Sequence, residues 1–253
     1  MNRRKFVRHC GLLGGLLLVA NAAALEATLD WDRETVLSMP VKGVVTRLEV
    51  RPGDKVARGA LMVQLDQRPF RNRIDALEAK LGKLEAVLAE ARRELERAEE
   101  LYDRTVLSEH ELQLKKNDFI AARADYEAAR AELTAARLAR EYSNLRAPFA
   151  LRVLAREVEI GQTVVADLRP TPVLRVAAED TLLAVAEVDV EQAAKLTLDQ
   201  ELIVTIGNLR RTGQLVAVAP LGGEKPGRYR IAVRLPRKGA DWLAGQKADI
   251  RLP

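Results

Sequence analysis

The chain of 253 residues has few cysteine, histidine, methionine or aromatic side chains. It contains one cysteine, two histidines and three methionines, and aromatic residues make up 4% of the sequence. A single cysteine excludes an intrachain disulfide. Copper and silver sites need clustered Met, Cys or His ligands, whereas Met39, Met62 and His110 are far apart in the sequence. With so few aromatic residues, the composition favours several small modules over one large core.

Charge and residue spacing exclude two further classes of function. The net charge is +5 with 30% charged residues, but no basic run is interleaved with aromatic residues, so nucleic-acid binding is not predicted. Ser108 and Ser143 have no histidine at a usable spacing, and carboxylate pairs such as Glu99-Glu100 are typical of a solvated helix face. The sequence therefore predicts no catalytic, cofactor-binding or metal-binding residue.

Residues 1–24 have the pattern of an export signal. A basic segment containing Arg3-Arg4-Lys5-Phe6 precedes an apolar run, and Ala22-Ala23-Ala24 is a small-residue cleavage site ending at Ala24. The Arg-Arg pair also resembles a twin-arginine signal. The apolar run of about 15 residues is shorter than the roughly 20 that span a bilayer, although an uncleaved anchor stays an alternative. We predict a periplasmic mature chain without Cys10.

Residues 67–144 have the pattern of two antiparallel helices joined by a short turn. On the first arm, apolar residues recur at alternating steps of four and three: Phe70, Ile74, Leu77, Leu81, Leu84, Leu88, Ala91, Leu95, Ala98 and Tyr102. The second arm has a heptad pattern of large residues and alanines: Leu112, Phe119, Tyr126 and Leu133, with Ala122, Ala129 and Ala136. A repeat of about 3.5 predicts knobs-into-holes packing along one seam. Arms of about 34 residues should extend about 50 Å.

Two β-rich segments, 36–66 and 145–177, flank this hairpin and repeat one pattern. Five pairs share an offset of 108 positions: Pro40 and Pro148, Val45 and Val153, Val50 and Val158, Gly53 and Gly161, and Val56 and Val164. Pro52-Gly53-Asp54 is typical of a turn, because proline presets φ and glycine accepts a positive φ. A repeat interrupted by an insertion predicts one small β-sandwich made of both copies, with the hairpin emerging between them.

Residues 178–253 form the last predicted module. Its β-prone segments lie at 182–188, 201–206, 213–220 and 228–235. One helical turn is predicted at 191–196. About six strands in such a short segment favour a small closed β-barrel. Residues 25–35 are predicted as a separate N-terminal segment.

Short motifs in these modules are similar to those of one known family. Gly43-Val44-Val45 with Pro52-Gly53-Asp54, and Leu145-Arg146-Ala147-Pro148 with Gly161-Gln162-Thr163, resemble the two halves of a lipoyl-like domain. Leu243-Ala244-Gly245-Gln246 resembles the close of a β-barrel domain. On these motifs the chain resembles the HlyD-like periplasmic adaptor subunits, or membrane fusion proteins, of tripartite efflux systems. The resemblance implies a mixed α/β, multi-module fold: a lipoyl-like β-sandwich interrupted by a long antiparallel coiled-coil hairpin, followed by a small β-barrel.

Two positions depart from the family pattern. Pro148-Phe149-Ala150-Leu151 stands where the family has an aspartate-glycine pair, and Asp199-Gln200 stands where a glycine commonly begins the second barrel strand. We therefore expect local differences at these two turns.

The tip of the hairpin carries the candidate binding residues. Arg97, Leu101 and Ser108, separated by three and by six residues, resemble the arginine–leucine–serine motif of adaptors that dock onto TolC-like outer-membrane channels. The resemblance implies channel docking for these three residues. Leu101 lies one position off the predicted seam and should face a partner. Ser108 is also typical of a helix N-cap, with Glu111 completing a capping box, and both roles stay open.

By this resemblance the chain is a non-enzymatic periplasmic adaptor without a cofactor. Its implied partners are an inner-membrane transporter, most often of the resistance-nodulation-division (RND) type, a TolC-like channel and further copies of itself in a hexamer. An adaptor of an ABC-type or type I secretion exporter is the alternative. A biotinyl or lipoyl carrier is a more remote one, because the carrier lysine belongs at a tight turn where this chain has its hairpin, and Lys42 lacks that setting.

Overall fold

The computed structural model describes residues 24–166, 168–222, 227–237 and 239–253. The predicted signal residues 1–23 lie outside the described residues, and the predicted cleavage residue, Ala24, is the first residue of strand β1. The strands are β1 (Ala24–Trp31), β2 (Thr35–Ser38), β3 (Gly43–Leu48), β4 (Lys55–Val56), β5 (Leu61–Leu65), β6 (Asn144–Arg146), β7 (Leu151–Arg156), β8 (Thr163–Val164), β9 (Pro172–Ala178), β10 (Thr181–Asp189), β11 (Glu201–Ile206), β12 (Leu209–Pro220), β13 (Arg228–Pro236) and β14 (Lys247–Arg251). The helices are α1 (Arg68–Asp103), α2 (Glu109–Tyr142) and α3 (Val190–Ala193).

The chain divides into two compact units. One contains the described residues up to Asp30, Leu183–Leu235 and Trp242–Pro253, and the other contains Trp31–Leu182 and Pro236–Asp241. The first holds most of the β-barrel, and the second holds the β-sandwich and the hairpin.

The β-sandwich consists of two four-stranded sheets in the orders β2-β9-β7-β4 and β6-β5-β3-β8. Each sheet combines strands from before the hairpin with strands from after it. The valines of the sequence repeat are buried together in one core: Val45, Val50, Val56, Val153, Val158 and Val164. The strand pairings follow the same repeat, since Val56 lies opposite Leu151 and Val164 lies opposite Gly43. The predicted sandwich of two interleaved halves is therefore confirmed.

The hairpin has helices of 36 and 34 residues that pack along the predicted seam. Ile74, Leu77 and Leu133 form a buried cluster near the sandwich, and Ala129 further along the seam is fully buried. Ion pairs also join the two arms: Lys80 Nζ lies 3.0 Å from Glu132 Oε2, and Arg137 Nη2 lies 2.7 Å from Glu78 Oε1. Buried alanines let the two helices approach closely, which favours a stiff, straight pair.

The hairpin leaves and re-enters the sandwich between two paired strands. Gln64 of β5 lies opposite Asn144 of β6, and their side chains form a hydrogen bond of 2.6 Å. Next to them, Gln67 Nε2 donates to Ser143 Oγ at 2.6 Å. The position between the half-motifs, where a carrier domain would present its lysine, is thus occupied by the helices.

A closed barrel of order β1-β10-β13-β12-β11-β14 forms the other module. The sequence analysis placed residues 25–35 in a separate segment, but β1 completes the barrel and pairs with β14. Its period-two pattern explains this, because Ala27 and Leu29 are buried while Glu26, Thr28 and Asp30 are exposed. The predicted helical turn at 191–196 lies slightly earlier, at α3, where Asp189 forms the N-cap.

Two of the motifs singled out from the sequence have clear roles in the barrel. The Gly245 N–H donates to the Leu29 carbonyl oxygen and the Leu29 N–H donates to the Gln246 carbonyl oxygen, both at 2.8 Å, so the Leu-Ala-Gly-Gln segment joins β1 to the barrel. Asp199 has a left-handed backbone with φ of 67°, and its carboxylate accepts a hydrogen bond from Gln214 Nε2. Asp199 therefore adopts a conformation that favours glycine, at the position where the related family commonly has one.

Candidate docking site at the hairpin tip

Helix α1 ends in a hydrogen-bonded closure of the Schellman type. The Val106 N–H donates to the Leu101 carbonyl oxygen at 3.0 Å, and the Thr105 N–H donates to the Tyr102 carbonyl oxygen at 2.8 Å. Both carbonyls would otherwise lack partners at the helix end. Thr105 stands where glycine is usual and has a φ of 57°, an uncommon conformation for a β-branched residue. The backbone of the tip is therefore fixed by hydrogen bonds.

Ser108 caps the start of α2. Its Oγ accepts a hydrogen bond from the Glu111 N–H at 3.3 Å, and Glu111 Oε2 accepts from the Ser108 N–H at 3.0 Å. The Ser108 hydroxyl also donates to Glu111 Oε2 at 2.7 Å. These side-chain and backbone hydrogen bonds from Ser108 lower the pKa of the Glu111 carboxyl, with a smaller contribution from His110. The capping box expected from the sequence is present, while the docking role of Ser108 stays a prediction.

Arg97 and Leu101 line one groove at the tip. The groove has a volume of about 430 Å³ and an apolar floor formed by Ala98, Leu101, Leu107 and Leu114. Arg97 forms an ion pair with Glu94, one turn earlier on the same helix. The structure thus brings two of the three predicted docking residues into one groove and places the third, Ser108, outside its lining.

The seam ends differently from the prediction. The four-residue step from Ala98 to Tyr102 was expected to continue the seam, with Leu101 facing outward. In the structure Leu101 is half-buried and Tyr102 is 39% exposed. The reason is that Leu101 lines the groove together with Leu107 and Leu114, so the last step of the seam is three residues instead of four.

Val106 is a tip residue that the sequence analysis missed. Its side chain is 71% exposed, more than any other large apolar side chain in the described part of the hairpin. A sequence signal was available, because an apolar residue between a helix end and an N-cap serine lies outside both heptad patterns. The tip is also acidic: residues 94–111 contain seven carboxylates and two guanidinium groups, in a chain whose net charge is +5.

The structure also shows where the histidine and methionine side chains considered as metal ligands lie. His110 is exposed on the first turn of α2, while Met39 and Met62 are buried in the sandwich core. Within the described ranges, no group of three or more His, Cys, Asp or Glu side chains is arranged to hold a metal ion. None of the helices in that part of the chain is both long and apolar enough to cross a membrane.

Comparison of the complete fold with solved structures gives a close match over most of the chain. The membrane fusion protein Spr0693 from Streptococcus pneumoniae R6 superposes with a TM-score of 0.70 at 15% identity, covering 91% of this chain and 98% of that one. The chain has the fold of a membrane fusion protein. MacA from Actinobacillus actinomycetemcomitans is similar too, with a TM-score of 0.66, 17% identity and coverage of 91% and 78%. The predicted fold class is confirmed.

Sequence comparison finds relatives that match parts of the chain. The multidrug resistance protein MdtA of Erwinia amylovora is 29% identical over 150 residues, which is 59% of this chain and 34% of MdtA. MdtA of Proteus mirabilis is 25% identical over 221 residues, covering 84% of this chain and 54% of that protein. The chain thus spans about a third to a half of the length of these relatives. No family model matches the chain.

Proposed function

We propose that this membrane fusion fold serves as a non-enzymatic periplasmic adaptor. It links an inner-membrane efflux transporter to a TolC-like outer-membrane channel, so that a substrate is exported across both membranes. The observation that supports this best is the hairpin itself: two helices of 36 and 34 residues packed on one seam and rooted between paired strands of a sandwich. A thin rod about 50 Å long is suited to bridging a distance.

The proposed mechanism is mechanical. The seam of alternating large residues and alanines, with the ion pairs between the arms, keeps the rod straight. Hydrogen bonds at Gln64 and Gln67 fix the angle at which the rod leaves the sandwich. The tip then presents Arg97, Leu101 and Ser108 to the channel, with Arg97 supplying a planar set of donors for carbonyl or carboxylate oxygens.

The relation to multidrug resistance proteins supports an efflux transporter as the inner-membrane partner. Within that class we propose an RND pump, a hexameric ring of adaptors and a periplasmic location after export by the N-terminal signal. An ABC-type or type I secretion exporter is the alternative partner. Identification of the transporter that copurifies with the chain from membranes distinguishes the two.

Efflux measurements test the proposal. In a strain lacking the chromosomal copy, the wild-type chain should restore export of a fluorescent dye, and Leu101→Glu and Ser108→Arg should reduce the rate at least tenfold. Arg93→Glu is the matched control, because Arg93 is an exposed mid-hairpin residue whose local ion pair is with Glu90. Export and folding of each variant are checked by fractionation and circular dichroism. Normal efflux from both tip variants would contradict the docking role.

A further inference from the structure

The tip offers a feature that the three-residue motif does not include. Val106 is 71% exposed, and its backbone, not its side chain, closes the end of α1. The chain is held close by on both sides as well, since the Thr105 N–H donates to the Tyr102 carbonyl oxygen and Ser108, two residues further on, caps α2. The side chain is thus presented to solvent at a defined position. The fixed backbone also means that binding costs little ordering entropy.

We propose that Val106 is the apolar contact residue of the docking surface and inserts into an apolar socket at the periplasmic end of the outer-membrane channel. This inference rests on the proposed function and adds to it a specific residue and the character of its partner. Leu101, which is half-buried in the groove, supports the tip from inside and is only partly available to a partner.

The charge of the hairpin tip indicates which groups should surround that socket on the channel. Carboxylates greatly outnumber guanidinium groups on the last turns of α1 and the first turn of α2, with Asp103, Glu109 and Glu111 closest to Val106 in sequence. The pKa of Glu111 is lowered by its hydrogen bonds to Ser108, so this carboxylate is ionised at neutral pH. A partner surface with basic groups around an apolar socket would complement the tip, whereas an acidic rim would repel it.

One charged and one conservative apolar substitution of Val106 test the proposal in cells. A photo-crosslinking amino acid at Glu109 reports docking, and the effect of Val106→Asp and Val106→Ile on its crosslink to the channel is measured. Val106→Asp should reduce the crosslink yield at least tenfold, while Val106→Ile should leave it within twofold. Neither change should affect folding, because the side chain is exposed and the closing hydrogen bond uses the backbone N–H.

The outcomes separate this inference from the proposed function. If the probe at Glu109 captures the channel in the wild-type chain and Val106→Asp does not change the yield, the role of Val106 is wrong and the adaptor function stands. If no tip probe captures a channel in the wild-type chain, the proposed function fails, and this inference with it.

The basic rim of the socket is tested by the salt dependence of binding. Capture of the detergent-solubilised channel by the purified chain should weaken at least tenfold between 50 and 300 mM NaCl, because salt screens exposed charges. Capture that is equal at both salt concentrations would overturn the proposed basic rim.

Discussion

The backbone N–H of Gly53 donates a hydrogen bond to the carbonyl oxygen of Val153 at 2.8 Å. The same bond recurs 108 positions later, where the Gly161 N–H donates to the Val45 carbonyl oxygen, also at 2.8 Å. Gly53 and Gly161 have φ angles of 95° and 89°. Each half of the sandwich therefore donates an equivalent turn hydrogen bond to the other half. This reciprocity explains why a gap-free repeat survives on both sides of a helical insertion.

Substitution of either turn glycine by alanine should destabilise the sandwich. A Cβ at Gly53 or Gly161 would meet no atom within 4 Å, so the cost is backbone strain alone. We expect the free energy of unfolding to fall by about 1–2 kcal/mol, measured by urea denaturation. Gly82 lies inside α1 with equal open space, and Gly82→Ala should instead stabilise by about 0.5–1 kcal/mol. Equal effects at all three positions would contradict the proposed role of the turns.

A larger side chain should destabilise the hairpin at the buried Ala129 but not at the neighbouring Ala128. Ala129 is fully buried between the two helices, whereas Ala128 is exposed. Ala129→Leu should lower the free energy of unfolding by about 1–3 kcal/mol, because the helices cannot separate without losing contacts elsewhere. Ala128→Leu should change it by less than about 0.5 kcal/mol. Thermal melts followed by the helical circular dichroism signal provide the comparison, and matching melts for both variants would argue against close packing at Ala129.

The capping role of Ser108 can be separated from its docking role. Ser108→Ala removes the oxygen that accepts from the Glu111 N–H and should cost about 1 kcal/mol, with faster amide exchange in the first turn of α2. Ser108→Asp keeps an acceptor at the N-cap and should retain most of that stability. If efflux is lost in Ser108→Asp while exchange stays slow, the residue has a second role outside the cap. Unchanged exchange in Ser108→Ala would show that the cap does not stabilise the helix.

A partly buried ion cluster surrounds Glu179 in the sandwich unit. Its carboxylate lies 2.9 Å from Arg237 Nη1, 3.0 Å from Arg152 Nε and 3.1 Å from Lys55 Nζ. The Arg237 side chain is only 3% exposed. Burial raises the pKa of Glu179, but hydrogen bonds from Arg152 and Lys55 and the charges of Arg237 and Arg152 lower it by more, so the net direction is downward.

Glu179→Gln should therefore destabilise this unit by about 2–3 kcal/mol at pH 7, because it removes one negative charge from beside the buried Arg237 guanidinium. The pKa of Glu179 is lower in the folded protein than in the unfolded chain. Its stabilising effect is therefore fully present above the unfolded-state pKa and is lost as the pH falls through the folded-state pKa. The difference in the free energy of unfolding between wild type and Glu179→Gln, measured by urea titration, should thus decrease below about pH 4.5. Glu26→Gln is the control, because the Glu26–Lys247 pair is exposed and should matter little. A difference in unfolding free energy that stays constant from pH 7 to pH 3 would contradict the stabilising role of the ionised Glu179.

Local patterns in the sequence predicted most of the sandwich and hairpin, because heptads and the 108-residue repeat report directly on which faces are buried. The barrel strand β1 was missed, since its partner β14 lies more than 200 residues away and its own pattern is short. Tyr102 and Leu101 were assigned to the wrong faces because the closure of the hairpin tip changes the last step of the seam. Val106 was overlooked because a heptad pattern says nothing about residues between two helices.

The central claim, that the hairpin tip contacts an outer-membrane channel, is tested most directly by site-specific photo-crosslinking in cells. The probe is placed at Leu101, with Arg93 on the middle of α1 as the control position. The account predicts a crosslinked product between Leu101 and a channel protein and none from Arg93, and purification of that product should also recover the inner-membrane transporter. An exported and folded chain that gives no channel product from a probe at Leu101 or from a probe at Glu109 would contradict the adaptor assignment and leave the tip motif as a helix cap.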